Sequence, residues 1–467
     1  MKNSSIVIVG GGFCGFMTAY HLLKNTVTPL NITLINSGYG VAKGIAYGTG
    51  SEKFLLNVPA AKMSAIPSQP DQFVNWLHQK HPFNLVDKVI LGKMFVPRRE
   101  YGNYLQSLCD EINQDSSHHT FTIIDDFADD LITDSINTVV CKSGKKIQAD
   151  IVVLATGNET PGNPPIEDES FYNSPSYFNN PWNEDSFRTI DPAKNVLIVG
   201  NGLTMVDTVL GLHEQRCTGT IYSLSPHGFN ILPHRHAGLV YTKLLEEIEE
   251  PLTLNSLFTL FNKHVRILRH FGLSAEPIVD SVRPLVQEIW KKMKIEERRR
   301  FLTHIRHLWG VARHRLPLHI YDFMQNLRLQ NKLIVQKGKL LSIKESSDGI
   351  MITYLDVKTQ SKNNITVGRV INCTGPSLDI SKSRNPFIKN LVEKGILCPD
   401  DLHLGINTDL NGNIIQRNGT VNRSLYTLGG NLRGLLWEST AVPELRVQAV
   451  NLAGLIVQQL QSTLAIS

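Results

Sequence analysis

Ser5-Ile6-Val7-Ile8-Val9-Gly10-Gly11-Gly12-Phe13-Cys14-Gly15, near the start of the chain, joins four β-branched residues to three spaced glycines. The β-branched residues predict a strand buried on both faces, and the apolar run Phe16 to Leu23 predicts a helix after it. In the order G-x-G-x-x-G, Gly10 permits a tight turn, Gly12 lets the backbone approach a pyrophosphate, and Gly15 lets the helix pack closely on the strand. The stretch predicts a dinucleotide-binding turn, with an ordinary glycine-rich turn as the alternative.

The residues after this turn extend the predicted site. Phe13 and Cys14 begin the helix, whose free N–H groups and positive dipole end favour phosphate. The second strand, Ile32 to Ile35, ends at Asn36, where an acidic residue usually holds the ribose hydroxyls. Asparagine both donates to and accepts from a hydroxyl, so Asn36 remains a candidate ribose ligand.

Two segments without clear periodicity follow, Gly40 to Tyr47 and Leu55 to Ser64. They are candidates to lie along a flavin ring, with Asn57 and Val58 as contacts, and plain connecting loops are the alternative. Arg98 begins a later helix and is a candidate phosphate ligand, although exposed arginines on helices are more often solvated.

A further buried strand, Ile151 to Leu154, ends in Thr156-Gly157 and is expected to bring its backbone to the nucleotide. The change to Pro, Asn, Ser and Asp over residues 160–190 predicts a domain boundary.

The strand–glycine–helix pattern then recurs in Asn195 to Asp207. Two such patterns predict two nucleotides, one in each domain, with the two turns facing a shared crevice. The candidate ligands in the second turn are Gly200, Gly202, Leu203 and Thr204, where Thr204 replaces the third glycine. A second Thr-Gly strand end, Thr374-Gly375, adds to them. After the next strand no acidic residue stands at Ser225-Pro226-His227, which favours NADPH over NADH, with His227 as a candidate phosphate ligand.

Residues 241–329 read as a helical insertion that caps the cleft, because polar and apolar residues alternate at a spacing of three to four. Its histidines lack carboxylate or cysteine partners at ligand spacing, so no metal site is predicted.

The closing segment supplies further candidates. Gly429 and Gly430 follow a strand, and Trp437, Glu438 and Arg446 are candidates to line the flavin or substrate site; Trp437 reads equally well as core. A final helix is expected to be capped by Ser439 or Thr440. Its first residues are predicted to face the flavin: Thr440, Ala441 and Val442.

Composition excludes several classes of protein. The chain has 467 residues, 42% hydrophobic and 19% charged, with a net charge of +5. It carries no basic stripe suited to nucleic acid and no apolar run of the ~20 residues that a membrane span needs. The six cysteines include no C-x-x-C pair, which indicates reduced thiols in a cytoplasmic protein and argues against a dithiol reductase.

As a set, the motifs resemble those of the FAD/NAD(P)-binding oxidoreductases with two dinucleotide domains. Within them the chain is similar to a poorly characterised bacterial group with LLNVPA-x-x-MSA, FVPRR-x-YG-x-YL, GxGLTMVD and RG-x-LWE-x-TAVPE-x-R-x-QA motifs. These motifs stand here at Leu55–Ala65, Phe95–Leu105, Gly200–Asp207 and Arg433–Ala449. Asp150 to Gly157 also resembles the D-x-x-x-L-A-T-G motif of flavin-dependent N-hydroxylating monooxygenases.

Two positions depart from the wider pattern. The Gly-Asp that usually binds FAD ribityl hydroxyls is Gly429-Gly430 here. The F-x-G-x-x-x-H fingerprint of Baeyer–Villiger and related monooxygenases is absent, because Asn173 and Tyr177 stand at its glycine and histidine positions after Phe171.

The resemblance implies an α/β fold with two Rossmann-like domains and a helical insertion. Residues 1–160 and 376–467 would bind FAD, residues 190–240 and 330–375 would bind NADPH or NADH, and residues 241–329 would form the insertion. The implied enzyme is a cytoplasmic FAD-dependent oxidoreductase that passes a hydride from NAD(P)H to FAD and then electrons to dioxygen, hydroxylating a small amine-like substrate. A reductase, dehydrogenase or oxidase without oxygen insertion is one alternative. A nucleotide-binding regulatory protein without turnover is another.

Overall fold

The two glycine-rich turns follow strands of two separate, mainly parallel sheets. The computed structural model describes residues 3–114, 118–183, 185–235 and 239–466, with side chains through residue 462. The chain divides into two units. Unit 1 comprises Met1–Glu159 and Leu378–Ser467, and unit 2 comprises Thr160–Ser377.

The strands of the described residues are β1 Ser4–Val9, β2 Leu30–Asn36, β3 Thr120–Asp125, β4 Ala128–Thr133, β5 Asn137–Cys141, β6 Lys146–Ala149, β7 Ile151–Leu154, β8 Tyr177–Phe178, β9 Val196–Val199, β10 Ile221–Ser225, β11 Leu333–Ser346, β12 Gly349–Asp356, β13 Lys362–Val367, β14 Arg369–Asn372, β15 Asn413–Ile415 and β16 Val421–Thr427.

The α-helices of the same residues are α1 Phe13–Asn25, α2 Gly44–Tyr47, α3 Gln72–His78, α4 Lys88–Lys93, α5 Arg98–Gln114, α6 Asp185–Arg188, α7 Leu203–Glu214, α8 Leu254–His270, α9 Glu276–Val282, α10 Val286–Lys292, α11 Ile295–His304, α12 Arg306–Arg313, α13 Leu318–Leu329, α14 Pro386–Glu393, α15 Arg433–Leu436 and α16 Val442–Ile466.

The sheet of unit 1 has the order β15-β16-β7-β1-β2-β3, in which β15 alone is antiparallel to its neighbour. Its central strands β1 and β7 are rich in Ile and Val. Each lies between two neighbouring strands, and both of its faces are covered by packed side chains. All four residues of β7 are buried. Helices α1, α5 and α16 contribute to one core of this unit, and a small antiparallel sheet, β4-β5-β6, contributes to a second one.

The sheet of unit 2 has the order β13-β12-β11-β10-β9-β14-β8 and is parallel from β11 to β8. Its parallel strands β10-β9-β14 repeat the arrangement β2-β1-β7 of unit 1. Helices α8 to α13 occupy the segment for which the sequence predicts helices, and α8 begins with a capping box between Thr253 and Ser256. The fold is therefore mixed α/β with two Rossmann-like sheets.

Candidate dinucleotide-binding sites

The backbone of the first glycine-rich turn passes so close to the end of β7 that only glycine fits at the crossing point. Gly10 has φ +107°, and a Cβ added to it would lie 2.2 Å from the carbonyl oxygen of Ala155. A Cβ on Gly15 would lie 1.9 Å from the oxygen of Gly10, so α1 packs directly on the turn. At Gly12, by contrast, the nearest atom is the Cα of Gly44 at 3.7 Å, which leaves room for a ligand. Gly10 and Gly15 therefore have the turn and packing roles that their spacing predicts, and the contact of Gly12 with a pyrophosphate stays a prediction.

The second turn repeats this geometry in unit 2. Gly200 has φ +112°, and its added Cβ would lie 2.3 Å from the oxygen of Cys373. No described atom lies within 4 Å of a Cβ built on Gly202. Thr204, which replaces the third glycine, is accommodated in the first turn of α7, where its carbonyl accepts from the Thr208 hydroxyl at 2.9 Å. Both units therefore contain the same close crossing followed by an open position.

The N-termini of the two helices after these turns are free of competing side chains. Gly12 caps α1 and Gly202 caps α7, in each case without a side-chain hydrogen bond and without an acidic residue in the first turn. The first N–H groups of a helix have no helical acceptor, so those of Phe13 and Cys14 in α1, and of Leu203 in α7, are positioned for an anion. Such a site suits a pyrophosphate.

The Thr-Gly strand ends lie beside the two turns. Thr156 follows Ala155 and accepts from the Asn431 amide through its hydroxyl oxygen at 3.1 Å, whereas the Thr374 hydroxyl donates to Asn372 at 2.7 Å. Gly157 and Gly375 have φ +77° and +90°, and nothing described lies within 4 Å of a Cβ on either. The repeat thus extends to the turns that follow β7 and β14.

Asn36 lies against the first turn at the end of β2. A Cβ on Gly11 would be 2.5 Å from Asn36 Oδ1, and Asn36 Nδ2 donates to the Tyr39 carbonyl at 2.7 Å. The loop after β2 then returns over the turn, where Ala42 N–H donates to Gly11 O at 2.8 Å. The amide group is thus used to shape the loop, and its role as a ribose ligand stays a prediction.

Arg98 holds the loop that contains Asn57 and Val58. Its Nε donates to Leu55 O at 3.1 Å, and its backbone N–H donates to Phe54 O at 2.8 Å. Val58 is buried in the core of unit 1, and Asn57 is half-buried. These contacts give Arg98 a structural task, and its predicted contact with phosphate remains untested.

A cluster of tyrosines, of which Tyr101 and Tyr104 are fully buried and Tyr47 is half-buried, lies beside Cys14 and was not predicted from the sequence. The rings of Tyr47 and Tyr101 meet edge to face at 4.6 Å, and those of Tyr101 and Tyr104 lie 5.6 Å apart. Burial raises the pKa of Tyr47 to about 12, with Arg98 opposing this rise and Cys14 adding to it. Burial alone raises the pKa of the Cys14 thiol to about 12. Burial also raises the pKa of Tyr101 well above its usual value, with Tyr47 and Tyr104 adding to the effect and Arg446 opposing it.

Two polar atoms of this cluster have no hydrogen-bond partner among the described residues: the Tyr101 hydroxyl and Arg446 Nε. Buried polar groups are almost always paired, so each such atom calls for an explanation. A ligand with polar edges next to α1 would supply it. Together with the open position at Gly12, these atoms fit FAD in unit 1.

Replacing Tyr101 by phenylalanine is expected to stabilise the cofactor-free protein by about 1 kcal/mol, because the variant removes a buried hydroxyl that has no partner. The matched variant Tyr104→Phe should lose about 1 kcal/mol, since the Tyr104 hydroxyl accepts from Ala65 N–H at 3.1 Å and also bonds Gln72. Urea unfolding of both apoproteins measures the difference. Equal losses in the two variants would show that the Tyr101 hydroxyl is paired.

The backbone of Gly429 is held between α1 and α16. A Cβ at Gly429 would lie 2.9 Å from Cys14 Sγ. Gly429 N–H donates to Gln448 Oε1 at 3.0 Å, and its carbonyl accepts from the Ser439 hydroxyl at 2.6 Å. The sequence suggested that Ser439 or Thr440 caps α16. Ser439 does not cap this helix, because its hydroxyl is bonded to Gly429 instead. Residues 440–442 lead directly into that helix, with Val442 as its first residue.

Gly430 lies next to an amide group. A Cβ on Gly430 would lie 2.6 Å from Asn158 Oδ1. An aspartate at position 430 would thus collide with Asn158 unless that exposed side chain moved. The polar group next to Gly430 is the Asn158 amide.

Trp437, Glu438 and Arg446 have different environments. Trp437 adopts φ +55° and ψ −72°, a strained conformation for a bulky residue, and strain of this kind clusters at functional sites. Burial lowers the pKa of Arg433 to about 10, and the nearby carboxylate of Glu438 opposes this effect. Arg433 was not among the candidate residues predicted from the sequence. Arg446 donates to Ser64 O at 2.7 Å and so joins α16 to the loop after Val58. Their catalytic roles stay predictions.

Other predicted features have clear positions. Phe171 and Tyr177 pack in the core of unit 2, with Tyr177 donating to Asn163 at 2.9 Å, so the residues at the absent fingerprint are structural. In the described residues, no three His, Cys, Asp or Glu side chains lie together in a way that could hold a metal. None of the helices in those residues is both long and apolar enough to cross a membrane.

Comparison with known proteins agrees with this geometry. Residues 7–159 match the family model described as FAD-NAD(P)-binding, so they form an FAD/NAD(P)-binding domain of that type. A segment of 98 residues is 31% identical to the probable mitochondrial NADPH:adrenodoxin oxidoreductase of Saccharomyces cerevisiae. That segment is 20% of this chain and spans only 18% of the yeast protein.

Solved structures resemble the chain over nearly its whole length. The reduced form of ornithine hydroxylase from Pseudomonas aeruginosa has a TM-score of 0.67 and 14% identity, covering 98% of this chain and 100% of that one. An ornithine N-hydroxylase of Kutzneria sp. 744, solved with reduced FAD, NADP⁺ and L-ornithine, has a TM-score of 0.66 and 13% identity at the same coverage. At such identity the likeness shows the fold alone.

Proposed function

We propose that the chain is an oxidoreductase that binds FAD in unit 1, binds NAD(P)H in unit 2, and uses dioxygen to hydroxylate a small amine. The observation that carries this proposal is the repeated turn, in which Gly10 crosses Ala155 O and Gly200 crosses Cys373 O, each followed by an open glycine at the start of a helix. One dinucleotide-binding turn would suit many proteins, whereas two in one chain suit an enzyme that holds two redox cofactors.

The residues of each unit have defined tasks in this proposal. The N-termini of α1 and α7 hold the two pyrophosphates, and Tyr101 and Arg446 hydrogen-bond the FAD through their unpaired atoms. Bound FAD would supply the redox chemistry, which is to accept a hydride from NAD(P)H and deliver electrons to oxygen. The protein binds, orients and shields, and this explains why no Ser-His-Asp arrangement is needed.

The amine substrate is supported by the names of the structural relatives, which hydroxylate ornithine. Low identity leaves the substrate pocket free to differ, so the proposal extends to small primary amines as a class. We expect purified protein to be yellow and to oxidise NADPH. We further expect one of L-ornithine, L-lysine or a short diamine to accelerate that oxidation and to yield a hydroxylamine.

Three outcomes separate the alternatives. Peroxide release without any hydroxylated product, or anaerobic turnover with a dye, would replace the monooxygenase by an oxidase or reductase. Protein that stays colourless after FAD addition would support the regulatory protein without turnover, which the missing acid at Gly430 favours. Hydroxylated product in proportion to NADPH consumed supports the proposal.

Thiol chemistry is disfavoured by the two cysteines nearest the turns. Burial raises the pKa of both Cys14 and Cys373 to about 12, although Cys14 begins a helix whose dipole would lower it. A rise of three pKa units leaves about a thousandfold less thiolate at pH 8. We expect iodoacetamide to label both cysteines at least about 100 times more slowly in native protein than in unfolded protein at pH 8. Rapid native labelling at either position would reopen a thiol-dependent reductase mechanism.

A further inference from the structure

The carboxyl end of β10 forms a rigid turn in unit 2. Ser225 Oγ accepts from Gly228 N–H at 3.0 Å, and Gly228 has φ +60°. The rings of His227 and Phe229 stack with centroids 5.2 Å apart and planes 8° apart. In a dinucleotide-binding sheet, the end of the second strand is where the adenosine ribose is recognised.

The helical insertion brings a second group of residues to this turn. The ring of His307, in α12, lies 4.4 Å from the ring of His227. Arg306, the first residue of the same helix, has its Nη2 at 3.2 Å from His307 Nε2. Lys337 of β11 lies on the other side, since β10 and β11 pair Ser225 with Lys337 and a Cβ on Gly228 would be 2.8 Å from Lys337 Cβ. We call these four residues the basic corner: His227, Arg306, His307 and Lys337.

The basic corner has positive charge that the described residues do not neutralise. Arg306 makes no ion pair in the described part of the chain, and its Nε is buried without a hydrogen-bond partner there. The pKa of His307 is lowered to about 4 by burial and then by the charges of Arg306 and His227. No acidic residue stands in Ser225–Phe229. A buried guanidinium nitrogen without a partner is costly, so a bound anion would explain it.

We propose that the basic corner binds the 2′-phosphate of NADPH, with Arg306 as the residue that distinguishes NADPH from NADH. The inference rests on the proposed function, because it assigns the adenosine end of the second dinucleotide. A ribose phosphate is a compact dianion, and an arginine fork is well matched to its oxygens. An acidic residue at this strand end would repel that group, and none is there.

The experiment is equilibrium binding of NADP⁺ and NAD⁺ to the FAD-loaded protein by calorimetry. Wild type should bind NADP⁺ more tightly than NAD⁺. Arg306→Ala should weaken NADP⁺ by about 10- to 100-fold, the range for one charge-assisted hydrogen-bonded contact, and leave NAD⁺ within about twofold. Arg306→Lys should recover part of the NADP⁺ affinity, because lysine keeps the charge without the fork.

Three further measurements accompany this titration. Arg300→Ala removes an exposed arginine of α11 that pairs with Glu297 at 2.8 Å, and should leave both affinities unchanged. Inorganic phosphate should compete with NADP⁺ more strongly than with NAD⁺. Circular dichroism melting of each variant checks that it is folded.

The possible results separate failure of the 2′-phosphate assignment from failure of the proposed function. Equal affinity of wild type for NADP⁺ and NAD⁺, or equal loss of both in Arg306→Ala, overturns the inference but leaves the proposed function standing. Failure of the FAD-loaded protein to bind either nucleotide overturns both. Selective loss of NADP⁺ in Arg306→Ala alone supports the inference.

Discussion

The Gly12→Asp variant is expected to fold normally and to be purified without FAD. Gly12 has φ −72° and ψ −168°, which any residue adopts, and its added Cβ would have only Gly44 Cα at 3.7 Å. Aspartate is also a favoured N-cap residue, so α1 should keep its stability. Its carboxylate would stand where a pyrophosphate approaches. Repulsion between two charges about 4 Å apart near a protein surface is worth about 4 kcal/mol, or roughly a thousandfold in Kd.

Fluorescence titration of FAD into the apoprotein measures this loss. Gly50→Asp is the matched control, because Gly50 is exposed in the same unit, has no atom within 4 Å of an added Cβ, and lies away from the turn in sequence. The control should bind FAD like the wild type. If Gly12→Asp also kept wild-type affinity, the FAD site would have to lie elsewhere in the chain.

The Gly202→Asp variant should remain yellow but lose its response to NADPH. Gly202 caps α7 with φ −97° and ψ −168° and has nothing described within 4 Å of an added Cβ. The same charge repulsion predicts a Kd for NADP⁺ raised by roughly a thousandfold. Because unit 1 is unchanged, FAD affinity and reduction of the bound FAD by dithionite should be those of the wild type.

Calorimetric titration with NADP⁺ and bleaching of the flavin band by NADPH report this second loss. Ser347→Asp, in the exposed turn between β11 and β12 of the same unit, serves as the control for an added charge. Loss of FAD from Gly202→Asp would contradict the assignment of separate sites. The two aspartate variants together form a reciprocal pair.

The strand–glycine–helix units were predictable from sequence because each is a local pattern. The β-branched run before Gly10 and the spacing of Gly10, Gly12 and Gly15 determine the strand, the turn and the packing of α1 without reference to the rest of the chain. The same holds for Gly200 and Gly202. The helices within residues 241–329 were likewise predictable from their periodicity.

The surroundings of these turns were not predictable, because they depend on contacts between distant segments. Tyr47, Tyr101 and Arg446 lie in three separate parts of the sequence, and no spacing links them. The Ser439 hydroxyl bonds Gly429 O although its position before a helix suggests a cap. His307, which the sequence presents only as one histidine among several in a helical segment, meets His227 through the packing of α12 on the turn after β10.

The central claim is that one chain holds two dinucleotides at two independent sites. Its most direct test is equilibrium dialysis of the wild-type protein against FAD and NADP⁺ together, with each bound nucleotide counted. The account predicts one FAD and one NADP⁺ per chain, with neither displacing the other. Mutual displacement, or a total of one nucleotide per chain at saturation, would contradict it.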